Sequence, residues 1–238
     1  MKKQKISIII PVYNEEKTIS SILDRVLRVN LGMRKEMVIV DDGSTDNSSK
    51  IIESYIRKHD QKKKNKVEFK FIKKDNGGKG SALRKGFEVA TGSIITIQDA
   101  DLEYDPEDYK NLIRPILAGK ERVVYGSRFL KSHKPMYKIY FLGNKFLSAM
   151  IRFLYSKKIT DMETCYKMFR SDVIKNIKLK ANHFDIEPEI TSKILKKGIR
   201  IKEVPISYHP RSIEEGKKIN WRDGLQAIFT LLYLKFFN

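Results

Sequence analysis

Asp99 and Asp101 stand one residue apart at the end of an apolar run, Ser93-Ile94-Ile95-Thr96-Ile97-Gln98-Asp99-Ala100-Asp101. Ile94 to Ile97 reads as a buried parallel strand, and buried strands do not normally end in paired carboxylates. In an open α/β sheet the carboxyl ends of the strands face the crevice where ligands bind, so the two acids are expected to point there. Two carboxylates at this spacing suit a hard divalent cation. Mg²⁺ takes one or two protein carboxylates and leaves its other positions to substrate phosphates. A solvated turn is the alternative for this motif taken alone.

Other loops share the pattern. Pro11-Val12-Tyr13-Asn14-Glu15-Glu16 follows the first apolar strand, Asp41-Asp42-Gly43-Ser44-Thr45-Asp46 follows the second, and Asn76-Gly77-Gly78-Lys79-Gly80 precedes a helix. Asp42 could accept hydrogen bonds from a ribose or a base, and Tyr13 could stack on a base. The glycines permit close backbone approach, and Lys79 supplies charge. Each loop alone is explained by turn chemistry; three of them with Asp99-Ala100-Asp101 on one sheet edge describe a ligand crevice. The glycine loop lacks the Gly-Lys-Ser/Thr ending of a nucleotide-hydrolase loop. No Gly-x-Gly-x-x-Gly follows the first strand, which counts against a dinucleotide dehydrogenase. A bound diphosphate would therefore be neutralised mainly by a metal, which points back to Asp101.

The elements that position these loops alternate. Strands are expected at Ile6–Val12, Met37–Val40, Val67–Ile72 and Ile94–Ile97, with helices at Thr18–Val29 (Thr18 as a cap), Asp46–Arg57 and Gly80–Thr91. This order predicts an α/β fold with a mostly parallel central sheet flanked by helices. Beyond residue 104 the rhythm changes: a helix from Pro106 to Leu117, a strand at Arg122–Gly126, an amphipathic helix from Met136 to Tyr155 and a short strand at Cys165–Phe169. A helix at Glu187–Lys197 and a late strand at Ile199–Tyr208 follow, with Pro205 marking an edge or a bulge. With no linker in sight, residues 1–238 read as one domain, 1–105 forming a nucleotide-binding half and 106–238 an acceptor-facing half.

The chain has 238 residues, 41% of them apolar, and carries 48 Lys+Arg against 29 Asp+Glu, a formal charge of +19. Such an excess implies an anionic partner: a phosphorylated substrate, an acidic membrane face or nucleic acid. Against nucleic acid, no zinc-ligand spacing, aromatic RNP motif or helix-turn-helix is present. No apolar run reaches the roughly 18 residues needed to span a bilayer. The 136–155 segment nevertheless sets Ile139, Leu142, Phe146, Met150 and Phe153 opposite Lys138, Lys145 and Arg152. The tail from Leu225 to Phe237 is apolar almost all round. Both fit interfacial helices as well as core-facing ones. The amino end lacks the apolar core of a signal peptide, and the expected location is cytoplasmic, peripheral on the cytoplasmic face of a membrane. Cys165 reads as a packing residue; His59, His133, His183 and His209 read as surface or packing residues; Trp221 reads as a core residue or an interfacial anchor.

With these residues in hand, the chain resembles the family-2 glycosyltransferases of the GT-A fold, and within them the polyprenyl-phosphate branch that includes the dolichyl-phosphate mannose synthases. The matching stretches are Ile8-Ile9-Ile10-Pro11-Val12-Tyr13-Asn14-Glu15, Val38 to Asp46, Gly78-Lys79-Gly80, Gln98 to Pro106, Gly126-Ser127-Arg128, Thr160 to Lys167, and Arg211 with Glu215-Gly216-Lys217-Lys218. The resemblance implies a GDP- or UDP-sugar donor bound by Pro11, Tyr13, Asn14, Glu15, Val40, Asp42 and Lys79. It implies that Asp99, Ala100 and Asp101 hold the donor diphosphate through Mg²⁺ or Mn²⁺. Glu103, where relatives often have a glutamine, is a further metal candidate. Arg128, with Lys131, is to meet the phosphate of a lipid acceptor. Arg211 and Lys217 or Lys218 are to close over the diphosphate. Asp161 lies where relatives place a general base, and serves either as base or to orient the acceptor and neighbouring basic groups. Many relatives continue into two or more membrane spans, whereas this sequence stops at Asn238, so the expectation is surface attachment through the 136–155 helix and the apolar tail rather than integral insertion. The rival readings are a family-2 enzyme acting on a sugar or protein hydroxyl, and a nucleic-acid- or nucleotide-binding protein without turnover.

Overall fold

A computed structural model of the chain describes residues 4–60, 67–131, 138–211 and 221–237. The first part alternates as its hydropathy dictates: β1 (Lys5–Val12), α1 (Ile19–Arg28), β2 (Arg34–Asp42), α2 (Ser48–Asp60), β3 (Val67–Lys74), α3 (Lys79–Val89) and β4 (Ile94–Ile97). The second part runs α4 (Tyr109–Leu117), β5 (Val123–Ser127), α5 (Lys138–Tyr155), β6 (Lys167–Arg170), α6 (Ser171–Lys175), α7 (Ile186–Lys196), β7 (Lys202–Pro205) and α8 (Trp221–Phe236). These strands form a seven-stranded sheet in the order β3-β2-β1-β4-β6-β5-β7. All pairings are parallel except those of β6, which runs antiparallel to both β4 and β5.

Strands covered on both faces need apolar side chains on both, which is why β1 and β4 read as unbroken runs rather than alternations. Ile6, Ile8, Ile9, Ile10 and Ile97 are fully buried. Two buried charged residues at the start of β2 break the rule, and each is compensated. Glu36 receives Lys5 and Lys70 as ion pairs and hydrogen bonds from Ser7 and Thr91. Lys35 donates to the carbonyls of Val26, Leu27 and Val29 at 2.9, 2.6 and 2.8 Å, satisfying the last turn of α1. Burial lowers the Lys35 ammonium to about 8.

The order reverses at β1, whose neighbours β2 and β4 both run parallel to it. That is the switch point at which an open α/β sheet leaves a crevice beyond its carboxyl ends. Register aligns the loops there: Val12 pairs with Asp41, so the turns after β1 and β2 leave the sheet together. Asn14, with φ 51°, stitches them by accepting from the Thr45 amide at 2.8 Å.

Several expectations shift. The strand expected from Cys165 starts at Lys167, and the late strand covers 202–205 rather than 199–208. That strand lies at the sheet edge and ends at Pro205, as the proline requires. Thr18 makes no side-chain cap to α1; its hydroxyl turns back to Glu15 Oε2 at 2.7 Å. The short helix α6 carries too few residues for a visible period.

A second apolar cluster lies apart from the sheet. Leu147 and Ile151 of α5, Leu195 of α7, and Ala227 and Leu231 of α8 pack with Ile159 and Met162. The helix α5 thus turns Leu147 and Ile151 inward and leaves Leu142, Phe146 and Phe153 exposed, the last at 86%. Leu225, Phe229, Phe236 and Phe237 of the tail are likewise exposed. No helix among the described residues is long and apolar enough to cross a membrane.

Candidate active site

A cleft of about 420 Å³ opens where the crevice is expected. On the β1–β2 side it is lined by Pro11, Tyr13, Glu15 and Asp42, and at its floor by Lys79, Asp99, Ala100 and Asp101. The far wall is Arg128, Glu163, His183 and Glu187, and α5 contributes Phe141 and Asn144.

The glycine loop is braced from below. The Asp42 carboxylate accepts from the amides of Gly77 and Gly78, at 3.1 and 2.7 Å, and pairs with Lys74. Gly78 has φ 90°, and a Cβ there would sit 2.3 Å from His183 Nδ1, so only glycine fits between the loop and the far wall. Lys79, the first residue of α3, reaches Asp99 at 3.0 Å and Glu187 at 3.2 Å. Burial works against the Lys79 charge, but those two carboxylates outweigh it and raise its pKa.

The aspartate pair is held by its surroundings. Gln98 accepts from the hydroxyl of Tyr166 at 2.7 Å and donates to the Asp99 carbonyl at 3.0 Å, which fixes the backbone at the strand end. Leu102 takes φ 64°, a left-handed conformation rare for a branched residue, and this turns the chain between Asp101 and Glu103. Asp101 accepts from Arg211 Nη2 at 3.3 Å, and Arg211 Nη1 also meets Glu15 at 3.2 Å. Burial, then the charges of Asp99 and Glu103, push the Asp101 carboxyl up to about 7 despite Arg211. Glu103 is spent on positioning: it accepts from the Tyr208 hydroxyl at 2.9 Å and the Arg211 amide at 2.8 Å, drawing residues 208–211 over the acids.

Across the cleft the charges are reversed. Arg128 is fixed by Asp161, which accepts from its Nε at 2.8 Å, its Nη2 at 2.7 Å and its amide at 2.9 Å. Asp161 has no exposed surface. Burial opposes the Arg128 charge, and Asp161 more than offsets it, holding the guanidinium protonated. The Tyr208 ring lies 5.1 Å from its centre, in cation–π range.

The cleft therefore brings together Pro11, Tyr13, Glu15, Asp42, Lys79, Asp99, Ala100, Asp101, Glu103, Arg128 and Arg211. Four sequence candidates lie off it. Val40 is a core residue of β2, and Asn14 is occupied in stitching loops. Asp161 sits behind Arg128, and Lys131 is an exposed residue donating to Ser207 at 2.9 Å. Lys217, Lys218 and His133 lie outside the described residues. Sequence reasoning missed Glu163 and Glu187 and placed His183 at the surface or in packing. Neither acid carried a sequence signal, because each lies in a polar stretch and enters the cleft only through tertiary folding.

Among the described residues no three His, Cys, Asp or Glu side chains converge as a metal-holding group. The donor set nevertheless fits a hard cation that completes its sphere with substrate phosphates: two carboxylates, with a third close enough to raise Asp101.

An open sheet with this switch point and this acid edge defines an α/β protein with a charged crevice beyond the carboxyl ends of its strands. The sequence matches Glycosyl transferase family 2 over residues 7–178, and the chain belongs to that family. It is 29% identical over 217 residues to a dolichol-phosphate mannosyltransferase of Pyrococcus furiosus, covering 90% of this chain and 59% of the relative. It is 31% identical over 175 residues to an undecaprenyl-phosphate 4-deoxy-4-formamido-L-arabinose transferase of Proteus mirabilis, covering 73% of this chain and 51% of the relative. The chain thus spans between about half and three fifths of the length of these two relatives. Glucosyl-3-phosphoglycerate synthase of Mycobacterium tuberculosis, solved with Mn²⁺, UDP and glucosyl-3-phosphoglycerate, superposes with a TM-score of 0.73. That match covers 97% of this chain and 80% of the other at 19% identity, a likeness of fold, here the GT-A fold.

Proposed function

We propose that the chain transfers a hexose from a nucleotide-sugar to a polyprenyl phosphate, with inversion, at the cytoplasmic face of a membrane. The observation that carries this is the opposition across one cleft of a carboxylate pair, Asp99 and Asp101, to an anchored guanidinium, Arg128. The first suits a donor diphosphate and the second an acceptor phosphate. Relatives named for dolichol-phosphate and undecaprenyl-phosphate substrates support the same reading. So does α5, which rims the cleft with Phe141 and turns Leu142, Phe146 and Phe153 outward, an arrangement suited to a lipid surface. The excess positive charge favours an anionic one.

Asp99 and Asp101 would hold Mg²⁺ or Mn²⁺. When bound, that ion supplies positive charge to the departing diphosphate. The rest of the work falls to the chain. Arg128 orients the acceptor phosphate so that one oxygen faces the anomeric carbon. The new carbon–oxygen bond forms as the bond to the diphosphate breaks, and the nucleoside diphosphate leaves. The attacking oxygen is already anionic, so no proton need move. Asp161, saturated and without exposed surface, acts as a positioning residue for Arg128 rather than as a base. This weakens the hydroxyl-acceptor reading, which needs one. Arg211 covers the diphosphate, and Tyr13 with Asp42 addresses the nucleoside. Residues 1–238 act as one domain in this scheme.

The test is transfer from a panel of UDP- and GDP-sugars to a short polyprenyl phosphate with Mn²⁺, repeated with chelator. Chelator-sensitive formation of a lipid-linked sugar is expected. Transfer to hydroxyl acceptors but not to the lipid phosphate would overturn the acceptor assignment.

A further inference from the structure

Glu163 stands apart from the other carboxylates of the cleft. Each of those is engaged by a cation or by amides: Asp42 by Lys74, Asp99 by Lys79, Asp101 and Glu15 by Arg211, Glu187 by Lys167 and Lys79. Glu103 is taken by Tyr208 and the Arg211 amide. Glu163 lines the cleft, yet its Oε1 is buried and makes no hydrogen bond among the described residues. A buried acceptor left without a donor costs free energy unless a ligand completes it.

The side chain is also held in place. The carbonyls on either side of it, Met162 O and Thr164 O, both accept from Lys167 Nζ, the first at 2.9 Å. Lys167 is fully buried, and its ammonium also pairs with Glu187. Glu163 thus sits on a segment pinned at two points, two residues from Asp161 and within the electrostatic reach of Glu187, Lys167 and Arg128.

That position narrows what Glu163 can meet. The nucleoside end of the cleft, with Tyr13 and Asp42, belongs to the loops after β1 and β2, whereas Glu163 lies on the segment leading into β6 (Lys167–Arg170), on the opposite side of β4 in the sheet. A phosphate would be repelled by an acid that forms no ion pair among the described residues. A neutral polyol, which must lie between the donor diphosphate and the acceptor phosphate, carries the hydroxyl donors that a lone carboxylate accepts.

We infer that Glu163 is the residue that reads a hydroxyl group of the transferred sugar, and that it selects neutral sugars over uronates. The inference rests on the nucleotide-sugar reading of the cleft. Burial, with a lesser contribution from Glu187, pushes the Glu163 carboxyl up to about 7, which lets it serve as acceptor or donor near neutrality.

The test separates sugar from nucleotide. For the wild type and Glu163→Gln, calorimetry with Mn²⁺ measures affinity for the nucleoside diphosphate alone, the neutral nucleotide-hexose, its monodeoxy analogues and the matching nucleotide-uronate. Expected are an unchanged melting temperature and nucleoside diphosphate affinity within about twofold, with hexose-donor affinity falling at least tenfold. One deoxy analogue should be weakened at least tenfold in the wild type and no further in the variant. The uronate should be disfavoured in the wild type, and less so in the variant. Equal loss of nucleoside diphosphate and nucleotide-sugar affinity would overturn the inference, as would a deoxy penalty that survives the substitution. Failure of the wild type to bind any nucleotide would overturn the nucleotide-sugar reading and this inference together. Binding as expected without transfer to polyprenyl phosphate would remove the acceptor assignment alone.

Discussion

The two walls of the cleft use the same pair of groups in opposite roles. On the donor side the carboxylates face the ligand and cations hold them: Lys79 on Asp99, Arg211 on Asp101. On the acceptor side the cation faces the ligand and a carboxylate holds it. The holding differs in kind. Asp161 grips Arg128 at 2.7 and 2.8 Å with no exposed surface of its own, whereas Arg211 is shared between Glu15 and Asp101 at 3.2 and 3.3 Å. Its Nε is buried without a hydrogen-bond partner among the described residues. A fixed cation suits an acceptor that arrives already ionised. Exchangeable cations suit acids that, in the proposed function, would release them to a metal and a diphosphate.

This contrast can be broken at several points. Asp101→Asn removes one of the two facing acids. Metal-dependent transfer should fall by about 10²–10³ in kcat, as when a charge-stabilising group is lost, measured with and without Mn²⁺. Full activity in that variant would end the metal assignment. Asp161→Ala leaves Arg128 buried and unpaired, which should cost about 3–5 kcal/mol in urea unfolding. Arg211→Ala should cost well under that, because its contacts are longer and shared, while raising the donor KM several-fold. Similar losses in the two variants would erase the distinction between fixed and exchangeable cations.

A pH titration tests the amino end of β2, at the opposite end of the strand from Asp42. Burial alone would raise Glu36, but Lys70, Ser7 and Thr91 overcome it and hold its carboxyl at about 2, against an ordinary 4.5. The depressed value means that Glu36 contributes stability in full above about 4.5 and loses it as pH falls toward 2. Glu36→Gln should therefore flatten acid unfolding in that window. The smallest effect belongs to the outer surface. Phe153→Ser, at an 86% exposed site, should leave melting unchanged and weaken binding to anionic vesicles several-fold.

The donor wall was legible because parallel strands buried on both faces leave unbroken apolar runs, and acids that end such runs stand out. Asp42, Asp99 and Asp101 are visible for that reason. The acceptor wall offers no such contrast. β6 has four residues, too few to show a period, and its antiparallel course depends on where the chain returns after α5. Arg128 and Asp161 are 33 residues apart, and their pairing is a tertiary event. Glu163 and Glu187 lie in stretches whose acids look ordinary until burial is known. The outward apolar face of α5 was read as compatible with either a core or an interface, since periodicity defines a face without saying where it turns.

β6 has one more consequence. It closes the flank of β4, so the short Ile-Ile-Thr-Ile segment borrows its second neighbour from a stretch about seventy residues downstream. Chimeras that splice the front of one relative onto the back of another would part residues 94–97 from 167–170 unless both come from a single parent. Recombination meant to exchange specificities will succeed only where that pair travels as a unit.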